Sequence, residues 1–66
     1  MSVTYAADIW DGREAHDSLG TATASTEAEA IEKSKAWAKG RSSNPDRAWL
    51  RVNIDGALHS FALGEF

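Results

Sequence analysis

Between Val3 and Trp10 the chain alternates. Val3, Tyr5, Ala7 and Ile9 fall on one side of an extended backbone, and Thr4, Ala6, Asp8 and Trp10 fall on the other. A period of two over that length predicts a half-buried strand. The Asp11-Gly12 pair that follows suits a tight turn, because both residues tolerate the positive φ such turns require. Arg13 to Asp17 has no apolar period and reads as an extended loop. Leu19 to Thr23 can pair as a second strand, at most an edge, since Gly20 and the small side chains around it bring little to pack.

From Thr26 the period becomes helical. Thr26 can cap, Glu29 three residues later completes a capping box, and Gly40 supplies the left-handed residue that closes a helix. Between them Ala30, Ile31, Ser34, Trp37 and Ala38 form one stripe with Trp37 as its largest anchor, while Glu29, Glu32, Lys33, Lys35 and Lys39 point elsewhere. Glu29 and Lys33 make an i,i+4 pair in the favourable order. Capping and amphipathicity account for the whole Ser25 to Lys33 stretch, which carries no family-specific motif.

Arg41 to Asp46, containing Ser42, Ser43, Asn44 and Pro45, is a loop by composition. Ala48, Leu50, Val52 and Ile54 then alternate with Trp49, Arg51, Asn53 and Asp55 as far as Asp55-Gly56, the strongest hairpin signal in the chain. A two-residue turn there sets the register: Ile54 opposite Ala57, Val52 opposite His59, Leu50 opposite Phe61 and Ala48 opposite Leu63. All eight share the face under the helix. The other face pairs Asn53 with Leu58, Arg51 with Ser60 and Trp49 with Ala62.

These elements predict an α+β fold, a small antiparallel sheet with a single amphipathic helix packed on one face. Its order is ββαββ, or βαββ if Leu19 to Thr23 does not pair. One helix covers one face, so the opposite face is left open, with Trp10, Trp49, Leu58, Ala62 and Ala6 beside Arg51 and Asp8. The last strand, continued to Phe66, is a candidate edge.

Length and composition narrow the picture. The 66 residues make a single domain, and one of this size buries only about 60% of the surface its unfolded chain exposes. The absence of Cys excludes disulfides, thiolate metal sites and Cys nucleophiles. Stability must therefore come from good packing, self-association or a partner. No apolar run approaches the roughly 18 residues of a membrane span, and the first residues lack a signal-peptide pattern. A cytoplasmic protein without a membrane partner is the expectation.

Candidate chemistry is sparse. Asp11, Glu14, His16 and Asp17 lie within one short segment. Oxygen ligands there suit a hard cation, and His16 with a carboxylate suits zinc. The spacing matches neither a calcium loop nor a helical His pair, so a solvated loop without metal or cofactor is the favoured reading. His16, Asp17 and Ser18 are the residue types of a nucleophilic triad, yet neighbours in an extended chain point to opposite sides and cannot bond in series. His59, on the core side near Val52 with no carboxylate beside it by register, reads as structural. There is no Gly-rich phosphate loop, and a single helix on a small sheet rarely encloses a catalytic pocket of about 300 Å³. The chain reads as a non-enzyme.

Charge is distributed unevenly. Residues 1–32 carry seven acids and one base, a net of −6, whereas residues 33–51 carry six bases and one acid, a net of +5; the whole chain is at −3. Acids at a helix start and bases at its end complement the helix dipole, which explains much of this without a ligand.

Two functional readings remain. The first is an interaction module, a homodimer or binder of a small protein partner, using Trp10, Trp49, Arg51, Leu58 and Ala62 on the open sheet face; Trp and Arg are enriched at such contacts. The alternative is a nucleic-acid-binding module in which Lys39, Arg41, Arg47 and Arg51 hold phosphates and Trp49 stacks a base, opposed by the acidic net charge.

Overall fold

The computed structural model describes residues 2–42 and 44–65. The order is β1 (Val3–Trp10), β2 (Ala15–Ala24), α1 (Glu27–Ala38), a 3₁₀ turn at Pro45–Arg47, β3 (Trp49–Ile54), β4 (Ala57–Ala62) and a final 3₁₀ turn at Leu63–Glu65. The four strands form one antiparallel sheet in the order β2-β1-β3-β4. Since β2 and β3 both run against β1, they are parallel to each other, and α1 carries the chain over β1 from the edge to the far side of the sheet. The fold is the expected α+β class in its ββαββ form.

The second hairpin follows the expected register throughout, from Ile54 opposite Ala57 to Trp49 opposite Ala62. The Leu63 N–H donating to the Ala48 carbonyl at 3.1 Å extends it. Asp55 (φ 50°) and Gly56 (φ 92°) are both left-handed, as a two-residue type I′ turn requires. The strand ends at Ala62, and the Phe66 end of the expected edge lies outside the described residues.

The first hairpin differs from the expectation. Ala15, His16 and Asp17 belong to β2, so the extended loop shrinks to the turn Asp11–Glu14, closed by the Asp11 N–H donating to the Glu14 carbonyl at 3.2 Å. The strand that looked like a short weak edge is ten residues long. Without it, one side of β1 would leave its N–H and C=O groups unpaired, a cost that backbone pairing removes whatever the side chains are. Register shifts on either side of Asp8–Ile9 mark where Leu19 and His16 are the extra residues on β2. Such bulges erase the two-residue period from which a strand is recognised.

In α1 the Thr26 side chain accepts from the Glu29 N–H at 3.1 Å, the expected cap. The Glu29 carboxylate reaches Lys33 at 3.0 Å, which lowers the carboxyl pKa and raises that of the amine. Lys39 (φ −61°, ψ 122°) and Gly40 (φ 80°) have type II turn angles, and the Arg41 N–H donates to the Ala38 carbonyl at 3.1 Å. The deepest helix residues are the small Ala30, Ser34 and Ala38, and the Ser34 hydroxyl donates to the Ala30 carbonyl at 2.7 Å. Trp37 was expected to be the main anchor but is half-buried at the margin, its ring beneath the Arg41 guanidinium at 5.1 Å. Small side chains bring the helix backbone close to the sheet, and a Trp on that axis would hold it off.

The core is Tyr5, Ala7 and Ile9 of β1 with Leu50, Val52 and Ile54 of β3, closed by Ala24, Ala48 and Leu63. At the β4 edge the covering is thinner: Ala57 is exposed, and Phe61 lies under the Lys35 amine at 4.5 Å.

Candidate functional site

The face away from α1 can be read in rows across the pairing register. The first row is Ala15, Trp10, Trp49 and Ala62; the second is Ser18, Asp8, Arg51 and Ser60; the third is Thr21, Ala6, Asn53 and Leu58. The five residues singled out for this surface, Trp10, Trp49, Arg51, Leu58 and Ala62, therefore fall on one face.

Trp10 and Trp49 are directly opposed, with ring centroids 5.9 Å apart and planes tilted by 49°, a favourable aromatic arrangement. Arg51 donates from Nε and an Nη to the two Asp8 oxygens at 2.8 Å each, a bidentate pair, and its guanidinium also lies over the Trp10 ring at 5.0 Å. The Asp8 carboxylate raises the Arg51 pKa above its ordinary value. Asp8 is the one member of this constellation that the sequence reading noted without assigning it a role; its signal was the cross-strand position opposite Arg51, visible only once β1 and β3 are known to pair. Trp49 is 37% exposed and Leu58 62% exposed, the two large apolar side chains left most open among the described residues.

The basic residues do not form one strip. Arg51 and Trp49 are on the open face, whereas Arg41 and Arg47 line a cleft of about 650 Å³ on the helix side of the sheet, together with Arg13 and His16 from the first turn and β2. Lys39 sits exposed at the helix end, outside this lining. In the cleft, Asp11 accepts from the Arg13 and Glu14 N–H groups at 2.8 and 2.9 Å and pairs with His16. Those donors hold the Asp11 carboxyl far below its ordinary range, the Glu14 N–H foremost, and the Asp11 carboxylate raises the His16 imidazole above 6.5. Asp17 turns to Arg41 at 3.4 Å. No group of three or more His, Asp or Glu among the described residues could hold a metal ion.

At His59 the helix adds a contact to the expected register. The neighbours of His59 in the sheet include no carboxylate, but Glu27 in the first turn of α1 brings an oxygen to 3.4 Å from Nε2. Strand register is blind to the helix, which supplied that acid. The contact is within ion-pair distance without hydrogen-bond geometry, so this buried nitrogen has no hydrogen-bond partner among the described residues. Asp17 also accepts from the Ser18 N–H at 2.9 Å, and the Ser18 hydroxyl accepts from the Gly20 N–H at 3.1 Å. No described helix is long and apolar enough to cross a membrane.

Comparison with known proteins adds no relative: no protein-family model, curated protein or solved structure matches the chain.

Proposed function

We propose that this protein is a non-enzymatic self-association module whose open sheet face meets the same face of a second copy. The observation that carries the proposal is the row order on that face: an aromatic row, a charge-neutral Asp8–Arg51 row, and a row ending in Leu58. A twofold axis parallel to the strands and midway between β1 and β3 sets Asp8 of one copy toward Arg51 of the other. The same axis lays Trp10 of one copy against Trp49 of the other, and Leu58 against Thr21. The surface is thus complementary to itself, as an isologous interface must be. Its charges are already paired, which limits the desolvation penalty that unpaired groups would impose.

Size sets the strength. Strands about 4.8 Å apart and rising about 3.3 Å per residue give this face on the order of 400 Å² in projection, about half of the roughly 800 Å² per partner in a standard interface. The association is therefore weak and reversible, with Kd on the order of tens of micromolar. Sedimentation across a dilution series from about 10 µM to about 1 mM tests it. Self-association that is lost in Trp49→Ala and in Leu58→Ser, and kept in Lys33→Ala, is the expected result. A chain that stays monomeric at the upper concentration overturns the proposal.

The nucleic-acid reading is less favoured. Arg51 has its guanidinium engaged by both oxygens of Asp8, the basic residues are split between two faces, and the net charge of −3 opposes a polyanion.

A further inference from the structure

The cleft on the helix side is built from two separated stretches of chain, 9–17 and 41–48, the first contributing Arg13 and the second Arg41 and Arg47. The acids on its wall are already engaged. Asp11 is taken by two backbone N–H groups and His16, and Asp17 by the Ser18 N–H and Arg41. Arg41 is pinned at a second point, its Nε donating to the Trp37 carbonyl at 2.8 Å. Its other N–H groups stay available, since a guanidinium carries five donors in a rigid fork. Neither Arg13 nor Arg47 has an acidic partner among the described residues. Two uncompensated cations and one preorganised one thus face a single concavity in a protein that is acidic overall.

We infer that this cleft binds a compact phosphate-type dianion, free or as a monoester, held by Arg13 and Arg47 against the immobilised guanidinium of Arg41. Planar guanidinium groups match phosphate oxygens in bidentate fashion. The volume, about 650 Å³, lies inside the roughly 300–1,000 Å³ range of small-molecule sites. A small ligand is favoured over a nucleic acid by range. The net charge of −3 repels an extended polyanion along its whole length. A dianion seated in the cleft is within about 8 Å of the arginines, where they dominate and the remaining field is screened. His16, whose pKa Asp11 raises, lines the same cleft and adds positive charge at mildly acidic pH.

The test is a ¹⁵N–¹H titration at about pH 7.5, where both phosphates are mainly dianions, and at low salt, with inorganic phosphate, adenosine monophosphate and, as the phosphate-free control, adenosine. Saturable shifts confined to residues 11–17 and 41–48 with both phosphates, and none with adenosine, are expected. Tighter binding of the monophosphate than of inorganic phosphate assigns the ester as ligand; equal binding assigns the free anion. Arg13→Ala and Arg47→Ala each weaken binding about fivefold or more, and the double variant abolishes it. Both residues are exposed on turns, so an unchanged spectrum without ligand verifies that the variants fold, and Lys33→Ala retains wild-type affinity. Failure to saturate by about 50 mM, unchanged affinity in the double variant, or tighter binding of a ten-residue oligothymidylate with shifts at Trp49 and Arg51 overturns the inference.

Discussion

Both hairpins of this protein turn on the dipeptide Asp-Gly, and they turn differently. At Asp55-Gly56 both residues take positive φ, Ile54 pairs with Ala57, and the alternation runs on without interruption. At Asp11-Gly12 the turn takes in Arg13 and Glu14 as well. The Asp11 carboxylate collects their N–H groups, and β2 then proceeds through two register shifts. The surroundings account for the difference. Asp55 is tied to the neighbouring strand, its N–H donating to the Thr4 carbonyl at 3.1 Å, and the Asn53 side chain accepts from the Gly56 N–H at 2.9 Å. Apolar residues on both sides of that turn must reach one core, so a slip of one residue would expose them. The polar residues after Gly12 impose no such penalty, and side-chain hydrogen bonds shape the turn instead.

The largest break in this comparison comes from its apolar side chains. Leu50→Ala in β3 removes a side chain with 0% exposure and is expected to cost about 3 kcal/mol. Leu19→Ala at the half-buried bulge of β2 costs about 1 kcal/mol, because less area is lost. In a domain of this size the first leaves a large unfolded fraction by circular dichroism at 25 °C, while the second stays folded. Equal losses would mean that the β2 edge is as tightly packed as the centre.

Next come the turns. Gly56→Ala at φ 92° is expected to lower stability by about 1–2 kcal/mol, a drop in Tm on the order of 10 °C. Gly12→Ala, at φ 97° in the longer turn, costs about half of that, since the turn can readjust and the added Cβ meets the Trp49 ring at an ordinary 3.7 Å. A larger effect at Gly12 would show that the first turn is the more constrained. A double-mutant cycle between Asp8→Ala and Arg51→Ala, read by chemical denaturation, gives a coupling of about 1 kcal/mol for the pair joining β1 to β3.

The smallest effect is a pH dependence confined to the first turn. His16 has a raised folded-state pKa, so its contribution is complete below the unfolded value of 6.5 and is lost as pH rises through the folded one. Asp11 has a lowered pKa, so its contribution is complete above 3.8 and is lost as pH falls through the folded value. The pair therefore stabilises the turn most between those two unfolded values. The Tm difference between wild type and His16→Ala is expected to be greatest near pH 5.5 and to vanish by about pH 9; a difference that grows with pH would reverse the sign of the argument.

The same contrast separates what was legible in the sequence. The β3–β4 register, the Thr26 cap, the Gly40 stop and the composition of the open face were readable, because each rests on residues a few positions apart or on strict alternation. The reach of β2 was not, because bulges at His16 and Leu19 break the period. Of the cleft, Arg41 and Arg47 were marked as basic, but their meeting with Arg13 was not foreseen, since nothing local joins residues so far apart in the chain.

The sequence by itself determined the element types, the core-facing positions of β1 and β3 and the register of the second hairpin, since local periods and turn chemistry encode them. Tertiary structure alone decided that β1 lies between β2 and β3, that Asp8 meets Arg51, that Glu27 reaches His59, and that small residues rather than Trp37 seat the helix. Each of these depends on where a distant segment packs, and that position is set by the joint burial of the whole core rather than by any stretch of it.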